Sequence, residues 1–109
     1  KIAETDAWDR AVAVGRYDGS ADDARDGFIH FSTAAQLRAT ADRHFAGRAA
    51  LTLIEYEAAA LAAALKWEPS RGGALFPHVY GSLDPKAASR VWPLALGGGA
   101  HLFPPEIGA

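Results

Sequence analysis

The chain has no cysteine, which removes disulfide frameworks, thiol nucleophiles and thiolate metal sites at once. It has no surplus of positive charge either: Lys and Arg number 11 against 13 Asp and Glu, for a net charge of -2. No basic field is therefore available to neutralise a nucleic-acid backbone or to hold an anionic membrane, and neither is expected as a partner. Long apolar runs are missing. The longest, Ala58 to Leu65, is mostly alanine and far shorter than the roughly 18 residues needed to cross a bilayer. With no signal-type segment visible, the expected compartment is the cytoplasm. The histidines, at positions 30, 44, 78 and 101, show no short ligand spacing, so no metal site is expected. No Gly-rich phosphate loop leads from a strand into a helix, and no serine elbow is present. Any chemistry must come from His, Glu, Asp, Ser, Thr, Tyr, Lys or Arg.

What is present suits one domain. Of 109 residues, 50% are hydrophobic and 22% charged, enough for a single core that removes about two-thirds of the unfolded surface from water. Thr5 reads as the cap of a helix that carries Trp8, Ala11 and Val12 on one face and ends at Gly15. Tyr17 to Gly27 is polar and Gly-containing, so it reads as a solvated loop with the length of a lid. Gly27-Phe28-Ile29-His30-Phe31 reads as a buried strand, and Thr33-Ala34-Ala35-Gln36 as a capping box opening a helix with Leu37, Ala41, His44 and Phe45 on one stripe. Leu51 to Tyr56 reads as a strand, Glu57 to Leu65 as an alanine-rich helix, and Leu65 to Glu68 as a strand cut off by Pro69. After a turn at Ser70-Arg71-Gly72-Gly73, Phe76 to Gly81 reads as an extended piece whose proline suits an edge or a strand entry better than a central position. Asp84-Pro85 signals a one-turn helix, and Ser89 to Leu94 the last strand. The expected organisation is one domain over 1–94 and a Gly/Pro-rich tail over 95–109, released at Gly97-Gly98-Gly99. Short strands and helices without strand-helix-strand regularity favour an α+β fold.

The candidate site residues follow from alternation. On a strand, Phe28, His30 and Ser32 share one face, and Ile29 and Phe31 the other. His30 is then either a core histidine satisfied by a backbone carbonyl or a strand-end histidine beside a helix N-terminus, with Ser32 and Thr33 placed for an anionic or ribose-bearing ligand. Glu68 lies on the face opposite Trp67, next to a turn; it is either a solvated charge or a carboxylate able to orient a sugar hydroxyl and stabilise a developing cation. His78 and Tyr80 point to one side of their extended piece, as a packed polar rim or as ligand contacts.

In that order, GFIHFST, Lys66-Trp67-Glu68-Pro69 and Phe76-Pro77-His78-Val79-Tyr80-Gly81 resemble the bacterial family called domain of unknown function 952, over about Lys1 to Leu94. The resemblance implies a fold grouped with the ADP-ribosyltransferases and RNA 2'-phosphotransferases, in which two small mixed or antiparallel sheets with short helices enclose a cleft for NAD. His30-Phe31-Ser32 is similar to the His-x-Ser run of the phosphotransferases. On that analogy His30, Ser32, Thr33, His78 and Tyr80 would line a nucleotide site, with Glu68 and His30 the candidate catalytic residues. The reaction implied is ADP-ribosyl transfer or NAD glycohydrolysis, with NAD as substrate or ligand. The alternative is a non-catalytic binding or protein-interaction module of the same fold. Such transferases often hold a ribose with a His or Arg of their first strand; that strand is represented here only by Lys1-Ile2-Ala3, so the holder is either lacking or replaced by Lys1.

Overall fold

The computed structural model describes residues 1–70 and 72–107. Arg71 of the expected turn and residues 108 and 109 of the expected tail lie outside them. The fold is α+β, with two antiparallel sheets and short helices. Strands β1 (Ile2–Glu4), β3 (Leu51–Glu55), β6 (Arg90–Gly97) and β7 (Ala100–Leu102) form a four-stranded sheet in the order β1-β3-β6-β7. Strands β2 (Ile29–His30), β5 (Ala74–Val79) and β4 (Leu65–Ser70) form a three-stranded sheet in the order β2-β5-β4.

Strand β3 is buried at every position but Glu55 because both of its faces are covered. Leu51 and Leu53 join Ile2, Leu94, Leu37 and Ala41 in one core cluster, against which Trp92, Phe103 and Ile107 pack. Ile54 points the other way, into a cluster with Trp8, Ala11 and Tyr17 that also takes Ile29, Phe31 and Val79 from the three-stranded sheet. Helix α1 (Thr5–Val14) covers this second face, with Trp8 and Ala11 buried and Gly15 closing it in the left-handed region. Val12, expected beside them, is exposed. Nor is Thr5 the cap: Glu4 holds that position, and the Thr5 hydroxyl bonds Thr52 of β3 at 2.8 Å. Helix α3 (Leu37–His44) buries Leu37 and Ala41 on the first face, after a turn of 3-10 helix at Ala34–Gln36. The Gln36 side chain reaches back to the Thr33 amide at 3.0 Å, the expected capping geometry.

Several sequence expectations fail, each for a local reason. Tyr17 to Gly27 is not a solvated loop: it holds helix α2 (Ala21–Asp26), capped by Ser20, and Tyr17 is buried. The alanine-rich segment makes only α4 (Ala58–Leu61) and a 3-10 turn at Ala62–Ala64, broken where Ala62 takes a φ of 52°. These alanines are mostly exposed, only Leu61, Ala64 and Leu65 pack partly against the core, and propensity alone does not hold so short a helix. Strand β4 continues through Pro69 because it is an edge, where one side of the backbone is unpaired. Pro77 sits in the central strand instead of an edge. Its carbonyl accepts from Phe31 N at 3.0 Å, and the reciprocal bond would need the N–H that proline lacks. The β2 ladder therefore stops after His30, and the chain departs through Ser32. Finally, Gly97-Gly98-Gly99 does not release a tail. The last strand runs past Leu94 to Gly97, and Gly98-Gly99 turn a hairpin into β7, whose His101 Nε2 bonds Arg48 O at 2.8 Å.

Candidate functional site

The short β2 strand places its residues as alternation requires. Ile29 and Phe31 enter the core, while Phe28, His30 and Ser32 stay half-buried on the opposite face. His30 pairs with His78 across β2 and β5, which puts the two imidazoles on one face with ring centroids 5.7 Å apart. Phe28 stacks on His78 at 4.0 Å and tilts toward His30 at 4.6 Å and Tyr80 at 5.4 Å. Glu68, on β4, comes to the same face and takes both His78 Nδ1 and the Tyr80 hydroxyl on Oε1, each at 2.8 Å. Hydrogen bonds from His78 and then Tyr80 hold the Glu68 carboxyl below its usual range, and the same bond raises the Tyr80 phenol.

His30 is neither packed against a carbonyl nor free. Its Nδ1 lies 2.6 Å from Asp23 Oδ1 and its Nε2 2.9 Å from Asp26 Oδ2, while 37% of the side chain remains exposed. Asp23 is the knot of the site. Its Oδ1 also accepts His30 N, and its Oδ2 accepts Lys1 Nζ and Ser20 N, at 3.0, 2.8 and 2.8 Å. Burial would push this carboxyl up, but the bond from His30 and the charge and bond of Lys1 outweigh it and hold it well below the usual range. Burial pulls the Lys1 ammonium down, and Asp23 partly restores it.

His30, Ser32 and His78 line one cavity of ≈ 250 Å³, whose other walls include Asp23, Asp26 and Thr40. The Ser32 hydroxyl bonds Thr40 Oγ1 at 2.7 Å, from β2's end to α3. A second cavity of ≈ 220 Å³ lies across Ser32 and Phe31 and carries Thr33 on its wall. Thus His30, Ser32 and His78 converge on one space. Glu68 and Tyr80 stand behind His78, joined to it by the Glu68 carboxylate, and Thr33 faces the neighbouring cavity. Among the described residues, no group of three or more His, Asp or Glu side chains has metal-holding geometry, and no helix is long and apolar enough to cross a membrane.

Residues 2–91 match the sequence model of a family described as protein of unknown function (DUF952). The chain belongs to that family. It is 46% identical to protein CC0527 from Caulobacter crescentus, whose crystal structure superposes with a TM-score of 0.89 over 94% of this chain and 90% of that one. The solution structure of CC0527, also 46% identical, gives a TM-score of 0.83 over 93% and 87%. No curated protein matches the chain.

Sequence reasoning missed the acidic half of this DUF952 site. Asp23 and Asp26 fell in the segment read as loop, yet Ser20-Ala21-Asp22-Asp23 has the spacing of a helix start, and the structure shows Asp23 N donating to Ser20 Oγ at 3.2 Å. A helix from Ala21 to Asp26 sets Asp23 and Asp26 three apart on one face. That signal was available. The pairing of Asp23 with Lys1 was not, because it joins chain positions that only the fold brings together.

Proposed function

We propose that the cavity lined by His30, Ser32 and His78 binds a small ribose-containing ligand of the nucleotide class, with NAD the first candidate, in a cleft of ADP-ribosyltransferase type. The carrying observation is the convergence of those side chains on one space of ≈ 250 Å³ that is open to solvent at His30. Its polar wall suits vicinal hydroxyls. Asp26 is a carboxylate acceptor, while the Ser32 and Thr40 hydroxyls can each donate or accept. Phe28, stacked on His78, holds that imidazole in place at the cavity wall. The enzymatic form of this reading is ADP-ribosyl transfer or NAD glycohydrolysis. There His30 would position the ribose, and the ionised Glu68, held behind the cavity wall by His78 and Tyr80, would favour positive charge developing on it across His78 and not by direct contact.

One observation favours binding without turnover. Both ring nitrogens of His30 are already occupied by carboxylates, so the ring offers no unpaired nitrogen for proton transfer. Calorimetry with NAD, ADP-ribose and ribose 5-phosphate tests the binding reading. Saturable heat lost in His30→Ala supports it, and no heat at millimolar ligand overturns it. Release of nicotinamide from NAD, abolished in Glu68→Gln, would establish the enzymatic form; binding with no release in either protein would establish the module.

A further inference from the structure

We propose that the second cavity, across Phe31 and Ser32 from the first, is a binding site for a small planar aromatic ring. Its volume is ≈ 220 Å³, and an apolar cavity of about 150 Å³ already accepts benzene. Its walls carry four aromatic side chains: Phe31 from the end of β2, Trp67 from β4, Tyr56 from the end of β3 and Trp92 from β6. Phe31 and Tyr56 meet edge to face at 5.9 Å.

The polar side chains along these walls are engaged elsewhere. Glu55 holds Arg90 through two bonds of 2.9 and 3.0 Å. The Tyr56 hydroxyl donates to Asp84 O at 2.7 Å, Ser32 bonds Thr40, and Lys1 bonds Asp23. What faces the cavity is thus mainly ring and aliphatic surface, which rewards a flat apolar guest and offers little to a charged one. Trp67 supports the same conclusion from the outside: it remains 49% exposed although it borders the cavity. A ring seated there covers an indole that the fold leaves wet. This inference does not depend on the ribose reading, because it concerns different walls and is tested with ligands that carry no sugar.

The test is a titration of the isotope-labelled full chain with indole and quinoline, followed at the tryptophan Nε1–H signals, with cyclohexanol as a non-planar control. Trp67 and Trp92 should move with saturation. Trp8, buried against Tyr17 and absent from the cavity wall, should not. Trp67→Ala, at an exposed edge-strand position, should weaken binding about tenfold. Ala58→Phe, at an exposed position on the cavity rim, should fill the space and abolish the shifts while leaving the fold intact. Unmoved Trp67 and Trp92 signals at millimolar ring overturn the inference. Equal shifts from cyclohexanol, or shifts unchanged in a folded Ala58→Phe protein, overturn it equally.

Discussion

Asp23 shows why a single buried charge can organise a site. With 2% of its side chain exposed, it stays ionised below the ordinary carboxylate range, and it satisfies donors from Lys1, Ser20 and His30 together. Removing the charge strands the Lys1 ammonium in a buried position, so Asp23→Asn should cost about 3–5 kcal/mol at neutral pH, read from urea unfolding. The pH dependence follows from direction. The folded carboxyl lies below its ordinary value of 3.8, so the native state binds fewer protons than the unfolded chain in acid. Its stabilisation is present in full above that value and is lost as pH falls through the folded one. Wild-type stability should therefore fall more steeply than that of Asp23→Asn as the pH is lowered below about 4. Parallel acid profiles would show that Asp23 is not the coupled group. At Glu68, which is more exposed, the Gln substitution should leave the unfolding midpoint nearly unchanged, and a large drop would contradict its placement at the rim of the sheet.

At the scale of elements, α2 and the end of β2 decide the site. Helix α2 buries only Asp23, so its attachment rests mainly on that carboxylate, with Asp26 on His30, and on the tight turn before it. Gly19 has a φ of 100°, and a Cβ there would lie 2.7 Å from the Cβ of Asp23. Gly19→Ala should therefore destabilise by at least about 1 kcal/mol and speed hydrogen exchange across residues 21–26 before the rest of the chain. Unchanged protection in that helix would contradict the account. Pro77 acts at the other boundary, since its missing N–H stops the β2 ladder. In Pro77→Ala the new amide should exchange slowly, as a donor to Phe31 O. These elements also show what could be read beforehand. The face pairing of His30 and Ser32 was legible, because two-residue alternation is a local property. The capping box at Thr33 and Gln36 and the closure at Gly15 were legible for the same reason. The length of β2, the hairpin at Gly98-Gly99 and the weakness of the alanine helix were not, because each depends on which strand or core lies opposite.

For the whole molecule, the four-stranded sheet has a core on each face, and the three-stranded sheet joins only one of them. The cavities lie where the sheets and helices diverge around Ser32, one carrying histidines, hydroxyls and carboxylates among its apolar walls, the other rings and aliphatic side chains. The three histidine–carboxylate pairs form two groups from distant parts of the chain: His30 with Asp23 and Asp26, His78 with Glu68. Sequence spacing grouped His78 with Tyr80 and His30 with Ser32, and only the β2–β5 register joins the groups. The central claim is that this joined face binds ribose. An amide-resolved NMR titration of the intact chain with ADP-ribose tests it most directly. The account predicts saturable shifts concentrated at residues 29–33 and 76–80 and at Thr40, lost in His30→Ala. Absence of shifts at millimolar ligand, or shifts confined to surfaces away from His30 and His78, would contradict it.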